Sequence, residues 1–365
     1  MIARRRLLAL MAASAAAQAR ADSPRALVFP GDFGAHVDAR IEWWYATGWL
    51  QAAETPGETP AYGFQLTFFR MRTGLAPQLP GRFAARQLLF AHAALTDLAG
   101  QRLLHAERIA RWSGDEAAPR AAASSGDTRL RLGAWQLERS AADHGGVYQA
   151  RMTDDAAGLA WQLALATTQP LLLQGQAGWS RKGPEAAQAS HYYSQPQLAV
   201  SGELRLAGRS RRVRGQAWLD HEWSDSLLDA QAVGWDWIGI NLHDGSALTA
   251  FVLRRADGSA LWAGGSHRVP GAAARNFAPD EVRFTPGRRW TSAASRASYP
   301  VQWTIETPLG RHSVQAMLDA QELDSRASVG AFYWEGLSVL RDASGQRVGL
   351  GYLEMTGYAS RLRLG

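Results

Sequence analysis

Three ionisable side chains, Asp220, His221 and Glu222, stand in a row between Trp218 and Trp223. A second acid, Asp236, sits between Trp235 and Trp237. Carboxyls and an imidazole among indoles can move protons in a dry pocket: burial shifts their pKa values, and indole faces steady a developing cation. The same residues also suit a polar seam in a β fold, with the acids paired to arginines and the histidine satisfied in the core. Alternate side chains of a strand face opposite sides, so Asp220 and Glu222 share one face while His221 shares the other with Leu219 and Trp223. Trp235 and Trp237 likewise form one wall, and Asp236 faces away. His221, Asp220 and Asp236 are the candidate catalytic residues. Trp218, Trp223, Trp235 and Trp237 are the candidate ligand wall.

A third aromatic run, "RIEWWYATGWL" (Arg40–Leu50), puts Glu42, Trp44 and Ala46 on one face and Trp43 and Tyr45 on the other. Glu42 and Trp44 join the candidate ligand-binding set; the alternative is a run that closes one end of a barrel. Glu335 in "FYWEGL" and Glu354 in "GLGYLEMTGY" lie within aromatic strands, where each is expected to face an arginine of a barrel wall.

Other chemistries find little support. The chain has no cysteine, which removes thiolate chemistry and disulfides. The order His221-Glu222…Asp225 lacks the second histidine of a helical zinc motif and lies on strand-like sequence. The nine histidines are scattered, and neither a metal nor a cofactor is expected. There is no Gly-x-Ser-x-Gly elbow, no phosphate-binding loop and no dinucleotide fingerprint. The net charge of +6 comes from scattered arginines, with Lys182 the only lysine, so no nucleic-acid partner is expected.

The elements that must position these residues read as strands. Tyr62–Met71, Leu88–Leu98, Leu130–Arg139, Leu159–Thr168 and Ala247–Gly258 alternate with period two. Asp244-Gly245 and Asp257-Gly258 are hairpin turn signals. Only short helices are expected, over Ser224–Val233 or near Pro279. With 365 residues, 46% hydrophobic and 15 of them tryptophan, the chain is long enough for two β-barrels. The arginine-rich segment Arg209–Arg214 places the junction, giving domains 22–212 and 213–365. Residues 1–21 read as a secretory leader: three arginines, a short apolar stretch, then Ala19-Arg20-Ala21 before a cut ahead of Asp22. The paired arginines suit the twin-arginine route to a periplasm. An uncleaved N-terminal anchor is the alternative.

The motifs "FPGDFGAHVDARIEWWYATGWL", "WLDHEWS", "GWDWIGINLHDG", "YWEG" and "GYLEMTGY" run in this order along nearly the whole mature chain. In them the chain resembles the family of acyclic carotenoid hydratases and the related AttH-like proteins. The resemblance implies two packed lipocalin-like barrels, with a ligand pocket in a barrel or at their junction. For the hydratase branch it implies a His-x-Trp pair, matched by His221 and Trp223, and a Tyr-x-Asp acid on a following strand. That strand here reads "ALTAFVLRR" (Ala247–Arg255), with neither residue. For the AttH branch it implies association with a transporter of the lipoprotein-releasing type. The expected function is accordingly an exported lipocalin-like protein that binds an apolar small molecule or lipid and serves such an ABC transporter permease. The alternative is a hydro-lyase or isomerase acting on a polyene or terpenoid double bond.

Overall fold

The computed structural model describes residues 24–74, 85–142, 145–225 and 228–362. The expected leader, 1–21, lies outside the described residues. Among them the fold is nearly all β, with two three-residue 3-10 turns at Gly31–Phe33 and Pro279–Glu281. No described helix is long and apolar enough to cross a membrane.

The first sheet is antiparallel. Its strands run in spatial order Arg102–Trp112, Gln87–Asp97, Tyr62–Arg72, Ile41–Ala52, Arg209–Ser224, Ala189–Leu206, Leu159–Ala166, Val147–Asp154, Trp135–Ser140, Arg129–Leu132 and Ala121–Ala123. The two ends of this path come back beside one another, so the sheet curls into a nearly closed barrel. Alternation explains its filling: Trp44, Ala46, Phe64, Leu66, Phe68 and Leu219 point inward and form a core of the barrel's own side chains. The second sheet runs Arg275–Phe277, Ala260–Arg268, Ala247–Arg255, Ala232–Leu242, Arg347–Met355, Ala331–Arg341, Gly310–Ala316, Gln302–Thr307 and Arg283–Pro286. Its inner face carries Ile238, Ile240, Leu248, Ala250, Trp334 and Leu353.

The outer faces of the two sheets meet. Tyr45, Trp49 and Trp218 from the first pack with Trp237, Phe251, Leu337 and Tyr352 from the second. Strands at this junction are covered on both faces, and Ile41–Ala52 is buried along almost its entire length. Arg102–Trp112, at one end of the path, keeps an exposed face.

Three sequence expectations change. Ala232–Val233 belong to the strand Ala232–Leu242, Ser224 ends the strand before it, and none of the described residues between them is helical, so the helix expected over Ser224–Val233 is not found among the described residues. Leu130–Arg139 is two strands folded at Gly133, whose φ of 63° is the left-handed conformation a tight turn needs. Arg209–Ser224, which straddles the expected junction at 212/213, lies wholly in the first sheet, and the chain passes to the second between Ser224 and Ala232. The turns at Gly245 and Gly258 form as expected, with φ of 85° and 84°.

Candidate functional site

Between the sheets lies a cavity of about 190 Å³. An engineered apolar cavity of about 150 Å³ accepts benzene, so this space exceeds what one ring requires. Both sheets build its walls: Trp43, Tyr45, Phe69 and Phe90 from the first, with Trp235, Trp237, Phe251 and Leu253 from the second. The strand Arg209–Ser224 turns Asp220, Glu222 and Ser224 toward this space, and register places Tyr45 beside Asp220.

Four carboxyls face the cavity: Asp220, Glu222, Glu335 and Glu354. Asp220 accepts hydrogen bonds from Ser194 Oγ at 2.5 Å, Tyr192 Oη at 2.8 Å and Trp218 Nε1 at 2.7 Å. Burial nonetheless pushes its pKa up to about 7 against those donors. Glu222 accepts from Ser190 Oγ at 2.5 Å and pairs with Lys182 Nζ at 3.1 Å. The Lys182 ammonium also lies 4.5 Å from the ring centroids of both Tyr192 and Phe251, a cation–π arrangement.

Glu335 and Glu354 are direct cross-strand partners on Ala331–Arg341 and Arg347–Met355. Burial, and then the neighbouring Glu354, hold the Glu335 carboxyl well above the usual range. Burial pushes Glu354 up to about 8, with the Trp235 side chain opposing the rise. No arginine lines the cavity among the described residues, which corrects the expectation that each glutamate faces one.

On the opposite face of the strand, His221 enters a separate polar cluster at one end of the first barrel. Glu42 is fully buried. Its Oε2 accepts from Arg70 Nε at 2.7 Å, and its Oε1 lies 2.9 Å from His221 Nε2 and 2.7 Å from His36 Nδ1. Burial would raise the Glu42 pKa, but the Arg70 charge and the two imidazoles hold it far below the usual range. Burial pushes His221 down to about 4, so the ring is neutral at pH 7. Because ionised Glu42 can only accept, His221 donates through Nε2 and receives the Tyr193 hydroxyl at Nδ1, 2.9 Å away. His36 behaves oppositely. Burial lowers its pKa, yet bonds to Asp32 and Glu42 outweigh that and raise it. Its ring stacks on Trp223 at 3.6 Å, and Trp44 stacks on His221 at 4.4 Å. The side chains of His36, Glu42 and His221 have ligand types suited to a transition metal, and their candidate atoms lie within 4.8 Å of one another. Those nitrogens both contact Glu42 Oε1, and Arg70 supplies a counter-charge to the carboxylate.

The AttH-like family profile matches residues 20–358. The chain belongs to the AttH-like family. A crystal structure described as an AttH from Nitrosomonas europaea is 45% identical, covers 93% of this chain and 100% of its own, and superposes with a TM-score of 0.83. Kievitone hydratase from Nectria haematococca shares 13% identity over 92% of this chain and 94% of its own, with a TM-score of 0.68. CghA bound to Sch210972 shares 13% identity over the same fractions, with a TM-score of 0.55. These two distant likenesses show the lipocalin-like fold alone. No curated protein sequence matches the chain.

In this AttH-like protein the sequence-derived site residues fall into three surroundings. Asp220, Trp235 and Trp237 line the cavity, and Trp218 stands behind Asp220 as its hydrogen-bond donor. His221, Trp223, Trp44 and Glu42 belong to the cluster at the barrel end. Asp236 faces the second barrel, where it pairs with Arg254 Nε at 2.8 Å and accepts the Tyr358 hydroxyl at 2.9 Å. The structure therefore does not bring Asp220, His221 and Asp236 together. Glu335, Glu354, Tyr45, Tyr192 and Lys182 are the cavity residues that sequence reasoning did not select. Their signal was the alternation itself: Tyr333-x-Glu335 and Tyr352-x-Glu354-x-Thr356 each place an acid on a face shared with other polar-tipped side chains.

Proposed function

We propose that this AttH-like protein binds an apolar small molecule or lipid in the cavity between its two sheets. The observation that carries this reading is an aromatic-walled space with a few convergent polar groups, the usual make-up of a small-molecule site. The N-terminal sequence supports export to the periplasm, by the twin-arginine route, and the AttH branch of the resemblance supports service to a lipoprotein-releasing type of transporter. The test is native mass spectrometry of periplasmic protein together with titration by Nile red, a neutral apolar dye. A co-purifying apolar molecule displaced by the dye, and weaker dye binding in Trp237→Ala, are expected. Dye binding unchanged by Trp237→Ala refutes the location.

One observation favours a second reading, a hydro-lyase or isomerase acting on a polyene or terpenoid double bond. Carboxyls lining an aromatic pocket, with pKa values that burial raises to about 7 and about 8 at Asp220 and Glu354, are suited to exchanging protons with carbon, and the surrounding rings to steadying the cation that results. The likeness in fold to kievitone hydratase agrees with this. Incubation with an acyclic isoprenoid alkene and detection of added water tests it.

A further inference from the structure

We infer that Glu335 and Glu354 form a proton-sharing carboxyl pair that acts on a carbon–carbon double bond held in the junction cavity, Glu335 as donor and Glu354 as acceptor. The assignment deepens the second reading above and rests on it. Its basis is placement. The two residues are register partners on adjacent strands, and both open onto the cavity. Glu335 is 2% exposed and its Oε1 has no hydrogen-bond partner. The Tyr45 hydroxyl, on a residue 6% exposed from the opposite sheet, approaches Glu335 and favours its charged form. A buried carboxyl oxygen left without a partner at the wall of a cavity points to a guest that approaches it, because such groups are costly to leave unmade.

The surroundings fix the roles. The ionisable groups around the pair are Tyr45 on Ile41–Ala52, Tyr333 on Ala331–Arg341 and Tyr352 on Arg347–Met355. Asp220 and Glu222 act on Glu354 from Arg209–Ser224. His92 and Lys182 also line the space. Lys182 is held by Glu222, and His92 is engaged by the Tyr333 hydroxyl at 2.8 Å and Ser328 Oγ at 2.8 Å. Neither neutralises the pair. Two buried carboxyls paired across adjacent strands do not both ionise readily, so the pair keeps at least one proton at neutral pH. Glu354 is the less buried of the two and has the Trp235 side chain as a partner, whereas Glu335 is 2% exposed, so Glu354 ionises first and the remaining proton stays on Glu335.

In the reaction the Glu335 O–H bond breaks and its proton joins one alkene carbon, the π pair forming the new C–H bond. The cation on the other carbon rests against indole faces and the two carboxylates. Water then forms the C–O bond with an oxygen lone pair, and its surplus proton passes to the Glu354 carboxylate. A proton hop from Glu354 to Glu335 restores the start. If Glu354 instead removes a proton from a neighbouring carbon, the double bond migrates.

The experiment is infrared spectroscopy of the full-length protein labelled with ¹³C-glutamate, titrated with pH. A protonated glutamic acid band should persist at neutral pH and weaken in Glu335→Gln. Glu354→Gln should lower the pH midpoint of the remaining band by about one unit or more, because the like charge is gone. Tyr45→Phe, which keeps the ring and its packing, should raise the midpoint and serves if a glutamine variant does not fold. Absence of any protonated glutamate at neutral pH, or midpoints indifferent to partner and tyrosine alike, overturns the pair. Farnesol in D₂O gives the chemical readout: carbon-bound deuterium appears with wild type and is lost in Glu335→Gln. A pair that titrates as expected without deuterium incorporation sinks the double-bond reading. Deuterium incorporation that persists in Glu335→Gln sinks the donor assignment alone.

Discussion

Replacing Glu42 by glutamine should damage stability, although the residue sits beside the histidine that sequence reasoning selected for catalysis. The carboxylate is fully buried and faces Arg70 Nε, His221 Nε2 and His36 Nδ1, while the His36 backbone N–H lies 3.0 Å from both its oxygens. Arg70 is equally buried, with its other nitrogens on Gln87 and the Ala39 carbonyl. A glutamine amide presents its own N–H groups to donors and leaves the guanidinium without a counter-charge. Removing one partner of such a pair costs about 3–5 kcal/mol, against a total stability of about 5–15 kcal/mol. At roughly 2–4 °C per kcal/mol for a chain of this class, Tm should fall by roughly 6–20 °C. The double variant Glu42→Gln/Arg70→Met should recover about 1–3 kcal/mol relative to the sum of the singles, since the stranded charge is gone. Urea unfolding followed by tryptophan fluorescence measures all four corners of the cycle. A Glu42→Gln loss under about 1 kcal/mol, or strictly additive singles, would refute the account of this cluster as a mutually neutralised network.

Stability should also depend on pH in a defined direction. Asp220 and Glu354 bind their protons more tightly folded than unfolded, so their contribution is complete below the ordinary carboxyl values of 3.8 and 4.5 and drains away as pH rises through about 7 and about 8. Denaturation from pH 4.5 to 9 should show that decline, and Asp220→Asn or Glu354→Gln should flatten it. Glu42 and His221 act on the acid side, where stability falls as pH drops below their ordinary values of 4.5 and 6.5 respectively. Asp236→Ala strands the buried Arg254 and should lose about 3 kcal/mol in urea unfolding while leaving Nile red affinity unchanged, because it faces the second barrel. A Cβ at Gly239 would lie 2.3 Å from the Trp237 ring and 3.2 Å from Trp218. Gly239→Ala should therefore push Trp237 into the cavity and weaken Nile red binding several-fold in fluorescence titration.

The alternation of side chains carried much of this protein. It correctly divided Asp220 and Glu222 from His221 and Trp223, and Glu42 and Trp44 from Trp43 and Tyr45, because a strand's two faces follow from backbone geometry alone. The family resemblance supplied the two-barrel architecture that the strand pattern by itself only permitted. What the sequence left undecided was which face meets what. His221 finds Glu42 across the register of two strands far apart in the chain, and Asp220 faces a cavity only because the outer sides of two sheets close on each other. Glu335 and Glu354 looked like isolated acids in need of arginines. Strand pairing made them neighbours, and sheet packing buried them, which makes ionising both costly. Local periodicity is written residue by residue, whereas the partners of a face, and the dielectric around a carboxyl, are properties of the folded whole.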